Sequence, residues 1–150
     1  MPNEYLLDTC VLSDSDDERL NAWLATVKDS QLYVSVASLM EHRKGIEILR
    51  PAKPEAAAEI ERDMNDMISE LGDRIVGIDA AIADRWGRLL APNPQKNRTN
   101  VCMDAAIAAS ALGKYWVATN NVNDFLGKGL NVINPFRTPT EEFPVGAPGN

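Results

Sequence analysis

Two spacings of apolar residues divide this chain. Short apolar or β-branched runs fall at Glu4–Leu7, Leu32–Val36, Arg74–Ile78, Trp116–Thr119 and Asn131–Ile133, and each predicts a strand. Between them the apolar positions take a helical spacing. Leu20, Trp23, Leu24 and Val27 predict a helix from about Asp16 to Lys28, opened by the capping-box spacing of Ser15 and Glu18. A second helix passes through Leu39, Glu41, Arg43 and Ile46 and stops before Pro51. Pro54 opens a third, with Ile60, Met64, Met67, Ile68 and Leu71 along one face and Gly72 at its end. Asp79 caps a helix containing Ile82, Ala83, Trp86, Leu89 and Leu90. After a loop from Pro92 to Asn100, an Ala-rich helix runs from Val101 to Leu112 and closes at Gly113.

Strands alternating with helices predict an α/β fold, a three-layer α/β/α sandwich around a mostly parallel central sheet of about five strands. Residues 1–136 make up the predicted domain. Residues 137–150, with three prolines and two glycines, are expected to form a loose tail.

Composition adds little that the pattern lacks, but charge narrows the chemistry. No apolar run approaches the roughly 18 residues of a bilayer span. The N-terminus has no signal-peptide pattern, so a cytoplasmic location and no membrane partner are expected. Cys10 and Cys102 are too few for a disulfide framework and read as reduced thiols. A net charge of −7 argues against a general nucleic-acid binder, which carries a basic face. It fits an enzyme that recruits divalent cations, or a protein with a basic partner.

In open α/β sheets, ligands bind beyond the carboxyl ends of the strands, near a topological switch point. Four acids meet that rule. Asp8 follows the first strand, Glu41 lies early in the helix after the second, Asp104 sits in the first turns of the Ala-rich helix, and Asp124 follows the fourth strand. Each alone has a structural explanation. Asp8 and Asp124 suit turns, Glu41 has capping-box spacing with Ser38, and Asp104 complements a helix dipole. As a set they point elsewhere, because converging carboxylates raise one another's pKa values unless a cation offsets the repulsion. Mg2+ or Mn2+ takes such oxygen ligands, lowers the pKa of bound water and stabilises charge on a phosphoryl oxygen. That is the chemistry of phosphodiester hydrolysis.

The words around these acids carry a resemblance. Leu6 to Ser13, LLDTCVLS, resembles the opening of VapC- and FitB-like PIN-domain toxins, which typically read L-D-T-N-V-[LI]-S. Ser35 to Gly45 looks like their second block, Asp104 to Ala109 is similar to D-A-x-I-A-A, and Thr119 to Phe125 resembles T-R-N-x-x-D-F. Gly129 to Phe136 matches the usual closing strand. The resemblance implies a PIN fold and Mg2+- or Mn2+-dependent endoribonuclease activity, with RNA as substrate and a cognate antitoxin as partner. It implies Asp8, Glu41, Asp104 and Asp124 as the catalytic acids, with Asp8 and Asp104 as metal ligands and Glu41 and Asp124 completing the site directly or through water. Thr119 and Asn121 match positions that support the acidic pocket by hydrogen bonding. The implied reaction is in-line attack on an RNA phosphodiester by a metal-activated water.

Arg43 and Arg98 are candidates for phosphate contacts, against a reading as solvated surface cations. A homodimer is expected; the Met64, Met67 and Ile68 stripe fits its interface less well than it fits the core. Cys10 departs from the pattern, standing where the family has asparagine, and a thiol donates and accepts hydrogen bonds only weakly. That departure keeps open a catalytically silent module whose acidic pocket receives Arg or Lys from a basic partner. A structure-specific DNA nuclease using the same metal chemistry stays open too.

Overall fold

The structure, a computed structural model, describes residues 2–92 and 99–150. Its centre is β1 (Tyr5–Leu7), the first predicted strand, buried along its whole length. β2 (Leu32–Ser35) lies parallel on one side of it and β4 (Trp116–Ala118) parallel on the other, with Leu6 opposite both Tyr33 and Val117. The two-residue β3 (Ile75–Val76) extends the sheet beyond β2, and β5 (Val132–Asn134) extends it beyond β4. β6 (Glu141–Phe143) closes the far edge antiparallel to β5, giving the order β3-β2-β1-β4-β5-β6. The chain therefore builds outward in one direction from β1, then crosses back and builds in the other. The reversal falls between β1 and β4.

Strand alternation divides the core between the two faces of the sheet. Leu6, Val117 and Val132 pack with Ala106, Ile107 and Ala111 of α6 (Thr99–Ala111), and Trp86 and Leu89 of α5 (Ala80–Leu90) rest against them. On the other face Tyr5, Leu7, Val34 and Ile133 meet Val11 of α1 (Thr9–Ser13), Leu20 and Trp23 of α2 (Glu18–Leu24), and Leu71 of α4 (Pro54–Leu71). Tyr5 and Trp23 meet edge to face, with ring centroids 5.0 Å apart. α3 (Val36–Leu49) and α4 enclose a smaller cluster of Ile46, Ala57 and Met64, with Met67 and Ile68 packed against it. The methionine stripe thus faces protein, the core reading.

α6 is buried without interruption from Ala105 to Ala111. A helix apolar on every side belongs inside a protein. Its small side chains let it lie close to the sheet.

The structure departs from the sequence-based expectations at four places. Asp17, not Ser15, caps α2, accepting from the N–H groups of Arg19 and Leu20 at 2.9 and 3.0 Å. Ser35 caps α3, accepting from Ala37 N–H, while Ser38 lies inside the helix and donates to Leu7 O at 3.3 Å. A short helix, α1, begins at Thr9, where only a turn was expected. The tail expected to be loose instead supplies the sixth strand. The Asn150 side chain holds its end, donating to Leu130 O and Phe143 O at 2.8 and 2.7 Å and accepting from Gly127 N–H at 3.0 Å. The prolines lie outside the strand, where they remove no ladder hydrogen bond. Among the described residues no helix is long and apolar enough to cross a membrane.

Candidate active site

Asp8 leaves β1 at the switch point, its N–H still bound to Ala118 O of β4 at 3.0 Å. It is also the N-cap of α1, with one carboxylate oxygen accepting from Thr9 N–H at 2.8 Å. The other accepts from the Thr119 hydroxyl at 2.8 Å and from the Cys10 thiol at 3.7 Å. The residue is only 4% exposed, so these donors replace the water its carboxylate has lost. Burial still pushes the pKa upward; hydrogen bonds from Thr119, Thr9 and Cys10 pull against it, and the Asp124 charge adds to the rise.

Thr119 continues β4, donating its N–H to Ile133 O of β5 at 3.0 Å. Its hydroxyl accepts from the Asn121 N–H at 2.9 Å while donating to Asp8. Both expected supporting positions are thus connected to Asp8, Asn121 through its backbone.

Glu41 lies in the second turn of α3. With Ser35 as the cap, the capping-box explanation for Glu41 is removed. Its carboxylate instead accepts from the Thr9 hydroxyl at 2.7 Å, which joins α3 to α1. Its pKa is raised, mainly by burial, with the Thr9 hydrogen bond opposing, the Asp8 charge adding and Lys44 opposing. Asp104 is the sixth residue of α6, beyond the first turn, where the helix dipole acts most strongly. Its pKa is pushed up to about 7, first by burial and then by the charges of Asp8, Asp124 and Glu41, with Lys128 opposing. Asp124, exposed, closes a 3-10 turn (Val122–Asp124) after β4.

These four acids, from four separate segments, line one cleft of about 210 Å³ with Thr9, Cys10, Asn100 and Asn121. Among the described residues no group of three or more acidic, imidazole or thiol side chains stands close enough to hold a metal ion by itself. An open cleft of oxygen donors still suits a hard cation that keeps its waters and binds one or two carboxylates directly. The mutual repulsion that raises Asp104 is what such a cation relieves.

Cys10 sits in the middle of this network. Its sulfur accepts from Asn120 N–H at 3.5 Å and lies 3.7 Å from the Thr119 hydroxyl, as well as donating to Asp8. The thiol therefore links the end of β1 to the end of β4, through long contacts. Burial and then the Asp8 charge raise its pKa to about 11, which keeps it protonated at neutral pH. Cys102 is not part of the cleft lining.

Arg43 is not brought to the acids. It follows Glu41 by two residues, a separation that turns side chains apart on a helix, and it pairs with Glu47 and with Glu61 of α4. Glu61 also pairs with Arg50, at 2.9 Å. Arg98 lies outside the described residues. Among the described residues, the cations whose charge reaches the site are two others, Lys44 at Glu41 and Lys128 at Asp104. Lys44 was within reach of helical reasoning, since it follows Glu41 by three and shares its face. Lys128, whose ammonium donates to Asp124 O, left no comparable signal in the sequence.

No family profile matches the chain. It is similar to plasmid stability protein StbB of Pseudomonas syringae pv. tomato, 31% identical over 136 residues, which cover 87% of this chain and 97% of that one. It is also similar to VapC ribonuclease Y4jK of Sinorhizobium fredii, 26% identical over 87% of this chain and 96% of that one. Among solved structures, FitAcB from Neisseria gonorrhoeae superposes with a TM-score of 0.73 at 26% identity, covering 89% of this chain and 99% of that one. A toxin–antitoxin complex from Klebsiella pneumoniae gives 0.62 at 26% identity, covering 88% and 98%. With a mostly parallel sheet whose order reverses beside Asp8 and with near full-length similarity to StbB, this chain belongs to the VapC/FitB-like family of PIN-domain toxins.

Proposed function

We propose that this chain is a Mg2+- or Mn2+-dependent endoribonuclease, the toxin of a toxin–antitoxin pair. One observation carries the reading: four carboxylates from four separate segments line one cleft at the switch point of the sheet. Isolated structural roles for Glu41 and Asp104 do not account for that placement. The similarity to a VapC ribonuclease supports RNA as substrate.

A bound divalent ion would supply Lewis-acid stabilisation of the phosphoryl charge and a more acidic water. Asp8 and Asp104 are the residues that would hold it, with Glu41 and Asp124 beside them. The chain does the positioning. Thr119, Thr9 and Cys10 hold Asp8 in one orientation, and the Thr9 hydroxyl fixes Glu41. In the metal-free chain burial and the neighbouring carboxylates push Asp104 up to about 7, and a bound cation would favour its ionised form.

An antitoxin with a basic segment is the partner that complements a net charge of −7, and the similarity to a toxin–antitoxin complex supports one. The exposed Val36, Met40 and Ile48 on α3 support the expected homodimer, which sedimentation would test. The silent-module reading rests on the missing asparagine alone; against it, Thr119, Thr9 and the Cys10 thiol all donate to Asp8.

The test is cleavage of single-stranded RNA by the purified chain with Mg2+ or Mn2+, beside a DNA strand of equal sequence. RNA cleavage that disappears with EDTA and with Asp8→Asn is expected. Cleavage surviving both, or DNA cut in preference to RNA, would overturn the reading.

A further inference from the structure

Beside the acidic cleft lies a second cavity of about 370 Å³, within the roughly 300–1,000 Å³ of small-ligand sites. It shares Asn121 and Asp124 with the cleft, so the two adjoin. Asn120 and Asn123 line it from the turn after β4, and Asn134 lines it from the end of β5. Arg137, from the segment before β6, and Glu141, the first residue of β6, also line it. Apart from Val122 its walls are amides and charged groups, and no aromatic ring is among them.

The fold uses little of this hydrogen-bonding capacity. Asn134 is buried, with Oδ1 accepting from Phe136 N–H at 3.0 Å and Nδ2 reaching Asn120 Oδ1 at 3.4 Å. Among the described residues nothing pairs with the side-chain amides of Asn121 or Asn123. Arg137 stands 3.5 Å from one carboxylate oxygen of Glu141, and both side chains are exposed, so the other oxygen is left to a ligand. A pocket with two carboxylates and one guanidinium does not suit a phosphate. It suits a neutral group rich in N–H donors, flat enough to sit among planar amides. A nucleobase is such a group, and a pocket adjoining the phosphate-cutting cleft is where the next base along the strand would fall.

We propose that this amide-lined pocket binds the base adjoining the scissile phosphate of the RNA and reads its hydrogen-bonding edge, favouring guanine over uracil. The inference rests on the ribonuclease reading above. Guanine presents an N–H and an amino group side by side, a pair of donors that a carboxylate accepts together, and a carbonyl for an asparagine amide. Uracil offers one N–H between two carbonyls. With no ring to stack on, recognition falls to these hydrogen bonds.

The experiment uses the full chain, Glu141→Gln and Asn123→Ala, both changes at exposed positions. A randomised RNA pool is cut with Mg2+ and the ends are sequenced. In parallel, anisotropy in EDTA compares hexaribonucleotides rich in guanine or in uracil. The native chain should enrich guanine at one position flanking the cut, and Glu141→Gln should flatten that preference about five- to tenfold, the lower range for a bidentate base contact. Cutting with no flanking preference, or a preference unchanged in both variants, would overturn the proposal. If nothing is cut but the guanine preference in binding is present and is lost in both variants, the base pocket stands and the nuclease reading falls. If binding shows no preference either, both fall.

Discussion

Replacing Asp104 with asparagine should stabilise the metal-free protein, and by an amount that depends on pH. The carboxyl is pushed from an ordinary 3.8 to about 7 by burial and by Asp8, Asp124 and Glu41. At 1.36 kcal/mol per pKa unit, ionising it in the folded state costs about 4 kcal/mol more than in the unfolded chain. The sign follows from proton counting. Between about pH 4 and 7 the folded state holds a proton that the unfolded state has released, so stability falls as pH rises through that window and levels off above it. Between pH 5 and pH 8 the loss is about 2–3 kcal/mol, and screening with side-chain rearrangement reduces it to about 1–2 kcal/mol. Asp104→Asn has no proton to lose. Its melting temperature relative to the native chain should therefore rise between pH 5 and pH 8 by roughly 3–6 °C for a domain of this size. Differential scanning fluorimetry in EDTA at the two pH values reads this directly. A difference between variant and native chain that is the same at both would refute the argument. Saturating Mg2+ should reverse the order at pH 8, because the ion stabilises only the native cluster.

Thr119→Val removes the hydroxyl that donates to Asp8 and accepts from Asn121 N–H in a fully buried position. A loss of about 1–3 kcal/mol is expected in urea unfolding, together with weaker RNA cleavage. Cys10, with its pKa raised to about 11, should resist iodoacetamide at pH 7 and label progressively as pH approaches that value, read by mass spectrometry after digestion. Asn150→Ala should cost about 1–2 kcal/mol and speed amide exchange in β6, because the side chain ties Gly127, Leu130 and Phe143 together.

The parts of the fold visible in the sequence are those set by local pattern. Leu6 and Val117 lie in strands that short apolar runs predict, and Asp79 caps α5 by accepting from Ile82 N–H at 2.8 Å. What escaped depends on partners distant in sequence. β6 forms because β5 would otherwise offer a bare edge, and its end is held by an asparagine that reaches back 20 residues to Leu130. Arg43 is a candidate for phosphate contact in the sequence, yet the packing of α4 on α3 brings Glu61 to it. For the site, local capping rules competed with the motif reading at Glu41, and only the cap's position at Ser35 separates them. The Asn134 side chain facing the second cavity is legible only once β5 is laid beside β4.

The alanines of α6 bear on which neighbours of this sequence remain workable. Seven consecutive residues, Ala105 to Ala111, are enclosed on every side. A larger residue there would push the helix off the sheet, and glycine would loosen it, so drift in either direction is disfavoured. The backbone carrying Asp104 is thereby confined by side chains that themselves take no part in chemistry. Mutational tolerance along α6 should be lowest at positions that are silent in any assay of the isolated reaction, and a purely functional search for important residues would overlook them.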